Sequence, residues 1–240
     1  ENYAFSGLKN LKTIEVDKEN PYYRGGDTLF ETREYEDDYI SFLWCSSEKT
    51  GDYEVASWID KIGPKAFANS KLDSVTLGEK ISYIWEDAFE NCKKLNHTSY
   101  CYGRYLGNAE NPFLILHTNE RAVKASEDEE LVVEIHPETR FILSSTFNSW
   151  SRDSAPYDKI DKLILHDKLK SVDGGAFTMG FYGFDYAKIK TISVDSMECL
   201  CRACSEIPGR AKTLIVGGKV ISDTITIPAS VTDITYKCFY

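Results

Sequence analysis

"IGPKAFANSKLDSVTLGEKISYIWEDAFENCKKL", residues 62–95, says one thing twice. Ile62, Ala66 and Phe67 return 22 residues later as Ile84, Ala88 and Phe89. The apolar positions Leu72, Val75, Leu77, Ile81, Ile84, Ala88 and Phe89 make a frame that can be slid along the chain. A shift of 88 lands on Ile160, Leu163, Leu165, Leu169, Val172, Ala176 and Phe177, all matching in type. A shift of 150 lands on Ile225, Ile227, Val231, Ile234, Cys238 and Phe239, with Ser222 out of type. A shift of 58 finds Val133, Ile135, Ile142, Thr146 and Phe147, with Glu130 and Thr139 out of type. Moving back by 22 gives Val55, Ile59, Ile62, Ala66 and Phe67. Ala4-Phe5 is an earlier anchor, so the phenylalanines of the frame are Phe5, Phe67, Phe89, Phe147, Phe177 and Phe239.

The frame has a physical reading. Val75-x-Leu77, Leu163-x-Leu165 and Ile225-x-Ile227 alternate inward and outward as a strand does, and they are largely β-branched. "GEK", "HDK" and "PAS" then turn the chain. The Ø-x-x-Ø-x-x-x-Ala-Phe stretch that follows brings it back across the core. One such unit cannot bury its apolar face alone, whereas stacked units can, with each strand parallel to the next. A small Ala or Cys before the Phe suits a crowded interior. The ring itself buries the most area, so a stacked Phe column is the expected main stabiliser.

Composition excludes several function classes. The net charge is −10, which leaves no basic footprint for nucleic acid. No apolar run approaches the roughly 20 residues of a spanning helix. The first residues, "ENYAFSGLKN", lack the basic head and apolar run of a signal peptide. The acidic runs 34–38 and 127–130 lack the alternating ligands and central Gly of a calcium loop. Seven cysteines cannot all pair within one chain, and Cys92 and Cys238, beside Phe anchors, read as small buried space-fillers.

The units "LDSVTLGEKISYIWEDAFENC", "IDKLILHDKLKSVDGGAFTMG" and "SDTITIPASVTDITYKCFY" resemble the BspA-like leucine-rich repeats. "DKENPYYRGGDTLFE", "GRYLGNAENPFLILHT" and "KTLIVGGKVISDTITIP" resemble that family's insertions. The resemblance implies a repeat solenoid. It would be a right-handed coil with a parallel β-sheet on one side, irregular or short helical returns, and β-hairpin insertions. It further implies a secreted or cell-surface, typically bacterial, protein used in binding or adhesion, with protein or glycan on a host or neighbouring cell as partner. Residues 1–240 are expected to form one interrupted solenoid with inserts at about 17–52, 99–130 and 197–220. Both ends fall inside a unit and neither carries a polar cap, which predicts a piece of a longer chain with signal and anchor elsewhere.

The expected function is a noncatalytic extracellular binding module without a cofactor or metal. A structural spacer and a hydrolase or metal site in an insert are the alternatives. Cys199, Cys201 and Cys204 provide a single C-x-x-C pair, too few for a zinc site; a short helix with Cys on its buried face explains them as well. His136 and His166 each follow a strand at the position of Gly78, which makes them equivalent turn residues. Tyrosines outside the frame offer contact area at low entropy cost, unless they pack the inserts down. Tyr100, Tyr102 and Tyr105 in "YCYGRY" and Tyr182 and Tyr186 in "GFYGFDY" are the expected binding residues. Trp44 and Trp150 also stand in inserts.

Overall fold

Short coils satisfy their main-chain hydrogen bonds by pairing with the coil before and the coil after. The computed structural model describes residues 5, 8, 10–32, 40–85, 87–118, 130–143, 146–147, 159–173, 175–179, 185–186, 188–203, 211–232 and 234. These are mostly strands and turns; Met197–Ala203 is the single α-helix among the described residues. The chain divides into two compact units, Glu1–Asn96 and His97–Tyr240.

In the first unit, Tyr23–Arg24, Thr28–Glu31 and Ser41–Cys45 form an antiparallel meander, the hairpin insertion expected at "YYRGGDTLFE". Ser41–Cys45 then pairs in parallel with Lys61–Ile62, and that strand with Tyr83–Ile84. Thr50–Glu54 and Lys71–Thr76 make a separate parallel pair. The registers carry the sequence period. Ile62 faces Ile84, Tyr53 faces Val75, and Asp52 faces Ser74, a pair 22 residues apart. The repeat in the sequence is therefore the neighbour relation in space.

In the second unit, Val132–Glu134, Lys159–Leu165, Lys188–Val194 and Thr213–Val216 run parallel. A turn at Gly217-Gly218, with φ of 54° and 77°, leads to the antiparallel strand Lys219–Val220 that closes this sheet. Two successive positive φ values favour Gly at both positions. A second sheet places Ser171–Val172, Phe141–Ile142 and Leu114–Thr118 in parallel. Gly103–Leu106 and His97–Tyr100 extend it as an antiparallel hairpin. Thr178–Met179 pairs with Asp185–Tyr186.

The frame positions form the core. Leu72, Val75, Leu77, Ile81, Ile84 and Ala88 are buried, as are Ile160, Leu163, Leu165, Leu169, Val172, Ala176 and Phe177. Phe67 lies between Phe42 at 4.4 Å and 17° and Phe89 at 5.1 Å and 2°. In the other unit Phe147 stacks on Phe177 at 4.4 Å and 13°. Offset-stacked rings add about 0.5–1.5 kcal/mol per pair to the area they bury.

Several expectations are corrected. The return path is not simply irregular: Ile62 and Ile84 lie in strands, and so do Ile142 and Val172, so parallel pairing occurs in several separate sheets rather than in one. Phe42, from a stretch expected to be insert, sits at the end of the first stack, while Phe5 lies in a turn near Trp44 and Cys45. Trp44 is buried rather than displayed. The third frame row fails as a strand: Ile225, Ile227 and Ile234 are 37%, 43% and 48% exposed in irregular backbone. Lys219–Val220 already holds the free edge of Thr213–Val216, the place a parallel Ile225–Ile227 segment would need. Phe239 and Trp150 lie outside the described residues.

Candidate functional site

The residues singled out as a tyrosine cluster divide by burial. Tyr105 sits on the strand Gly103–Leu106, whose partners on both sides carry it into the core with Ile115, Leu131 and Val133. It is fully buried, and its ring covers Gly103, where a Cβ would stand 2.6 Å from the ring. Its hydroxyl accepts a hydrogen bond from the His136 amide at 3.3 Å, and burial raises its pKa. A binding role for an exposed Tyr105 is therefore excluded by its position. Tyr100 and Tyr102 are half-buried against the same core and keep one edge outside. Tyr182 and the side chain of Tyr186 lie outside the described residues.

Tyr100 opens onto a row of turn residues. His136 follows Val132–Glu134, His166 follows Lys159–Leu165, and Asp195 follows Lys188–Val194, so three neighbouring strands end side by side. The Tyr100 ring meets His136 edge-on at 4.6 Å. Burial first, and then the Glu134 carboxylate, push the Tyr100 phenol up to about 12. Burial also lowers the His136 imidazole, opposed by the charge of Glu138. His166 is held from both sides, with Nδ1 2.9 Å from Asp195 Oδ2 and Nε2 3.1 Å from Glu134 Oε1. Lys168 pairs with Glu138 at 2.5 Å further along the edge.

Both ring nitrogens of His166 are taken up by carboxylates. A general base needs a ring nitrogen facing its nucleophile. The Cys199 thiol donates to the His166 carbonyl at 3.2 Å. Burial pushes that thiol up to about 12, so it is neither nucleophile nor ready ligand. Cys199 and Cys201 lie on the buried face of Met197–Ala203, and Cys204 lies outside the described residues. Among the described residues no three His, Cys, Asp or Glu side chains are grouped to hold a metal ion.

Two surface features escaped the sequence reading. Trp58 is 42% exposed and touches Phe30 edge-on at 5.1 Å. The corners "ANSK" and "ENCKK" recur 22 residues apart and place Asn69, Lys71, Asn91, Lys93 and Lys94 around one open recess. The recurrence was present in the sequence, but polar surface residues give no packing signal to mark them.

Parallel strands in register, with apolar side chains inward and a polar edge of turn residues, fit a repeat fold. Residues 39–103 match the family model of the BspA type leucine rich repeat region (6 copies). No curated protein and no solved structure matches the chain.

Proposed function

We propose that the chain is a noncatalytic binding module of an extracellular or cell-surface protein, contacting a protein or glycan on a host or neighbouring cell. The observation that carries this reading is the BspA-type repeat match over residues 39–103, since repeats of that type generally serve as surface binding domains rather than enzymes. The parallel registers support a right-handed coil, because parallel crossovers are right-handed in nearly all cases. The contact surface is the turn edge of the second unit, where Tyr100, His136 and the carboxylates of Glu134 and Asp195 offer rings and hydrogen-bonding groups together, with half-buried Tyr102 two residues along the chain from Tyr100. Mixed aromatic and polar surfaces of this kind are typical of interfaces.

The test is a binding screen of the 240-residue chain against matrix proteins and glycans, run beside Tyr100→Ala/Tyr102→Ala. The module reading expects a partner whose affinity falls about tenfold or more in the double variant, the loss of one or two contact anchors. No partner in the screen, or a partner that binds the folded variant undiminished, refutes the edge as contact surface. Absence of any partner favours a spacer instead.

A further inference from the structure

The first unit carries a second surface of different chemistry. After Ala66-Phe67 and again after Ala88-Phe89 the chain turns through an asparagine, Asn69 and Asn91, at φ of 63° and 58°. Asparagine tolerates this left-handed conformation better than most residues. The two turns stack: the Asn69 amide donates to the Glu90 carbonyl at 2.9 Å. Beneath them, Ser70 Oγ and Cys92 Sγ lie 3.5 Å apart, both buried. The corner residues that remain outside, Asn69, Lys71, Asn91, Lys93 and Lys94, line an open recess of about 490 Å³.

Every side chain of that lining is polar, and three are ammonium groups on a chain of net charge −10. Lys71 is paired with Glu48 at 2.8 Å. Lys93 and Lys94 carry no ion pair among the described residues, and the Asn69 and Asn91 carboxamides make no side-chain hydrogen bond there. Like charges on adjacent coils repel, so the fold gains nothing from placing them together.

We propose that this recess binds an acidic saccharide, one bearing carboxylate or sulfate groups. Lysines are mobile point charges with three donors each, suited to anionic groups spaced along a polymer. A carboxamide offers both donor and acceptor, as adjacent sugar hydroxyls require. No aromatic or aliphatic residue lines the recess, and the apolar surface it does have belongs to polar and charged residues, so it offers no shaped pocket for the large hydrophobic anchor on which a peptide partner relies. The site stands on different residues from the tyrosine edge, and the two readings can fail separately.

The experiment titrates the 240-residue chain with oligomers of sulfated dextran and of polygalacturonate, with neutral dextran and poly-glutamate as comparisons. Both acidic saccharides bind, neutral dextran does not, and binding weakens from about 50 to about 200 mM salt as screening shortens the reach of the lysines. Lys93→Gln/Lys94→Gln lowers affinity about tenfold or more, the effect of losing charge-assisted hydrogen bonds. Lys18→Gln/Lys219→Gln, at exposed lysines elsewhere, leaves it unchanged. Lys93 and Lys94 are exposed, so the double variant should keep its melting temperature, which is checked directly. The proposal is overturned if neither acidic saccharide binds, if the recess variant binds undiminished, if the control variant loses as much, or if poly-glutamate binds equally well.

Discussion

Replacing Phe67 with Ala removes the middle ring of a three-ring stack. Phe67 is fully buried, with Phe42 on one face, Phe89 on the other and the Tyr53 edge at 5.9 Å. Truncating a buried Phe costs about 3–5 kcal/mol in transfer and cavity terms. Two stacked contacts are lost at once, which places this site near the top of that range, about 4–5 kcal/mol. Phe89 is half-buried with one stacked partner among the described residues, so Phe89→Ala should cost about 2 kcal/mol. Urea unfolding reads both changes, with buried Trp44 as a fluorescence probe in the same unit. Phe67→Leu, which refills part of the volume, should recover about half of the loss. Equal costs at Phe67 and Phe89, or a cost below about 1 kcal/mol at Phe67, would refute the claim that the ring stack dominates this core.

Further outcomes follow from other sites. Gly103→Ala should destabilise the second unit by about 1–3 kcal/mol, because the added methyl meets the immobile Tyr105 ring; thermal unfolding checks it. Ile227→Asn should cost under about 1 kcal/mol while Leu165→Asn, at the equivalent frame position but buried, costs several, a contrast that denaturant midpoints measure. Burial pushes the Cys45 and Cys199 thiols up to about 12, so in the native chain at pH 8 exposed Cys101 should react with a thiol reagent well before either. The same groups set an alkaline limit. Cys45, Cys199 and Tyr53 have folded pKa values of about 12 against ordinary values of 9.0 for the thiols and 10.0 for the phenol, so their contribution is intact below pH 9. It is lost as the pH rises from there toward 12, and the urea midpoint should fall between pH 9 and 11 while holding steady from 7 to 8.5.

The core was legible where side-chain type alone decides burial. A spacing of 22 found Ile62 beside Ile84 and marked Ala66 and Ala88 as buried, because each repeat must bury the same face against the next. Phe42 and Trp44 were not legible as core, because no Ala-Phe pair marks their stretch and their burial comes from strand pairing across a long insertion. The Ile225 row misled for the opposite reason. Its pattern is intact, but the hairpin at Gly217-Gly218 takes the ladder edge first. The burial of Tyr105 depends on the bare Cα of Gly103 and on strand Leu114–Thr118, neither of which a period can reveal. Equivalent turn positions did place His136 and His166 correctly, since register carries the end of one strand to the end of the next.

Nuclear Overhauser contacts between amide and ring protons test the stacked-coil claim most directly. Cross-peaks should join Ile62 to Ile84, Tyr53 to Val75 and the Phe67 ring to the Phe89 ring, the pairs that one repeat sets side by side. A spectrum in which these pairs share no contact, and each segment folds back on its own sequence neighbours, would contradict the account.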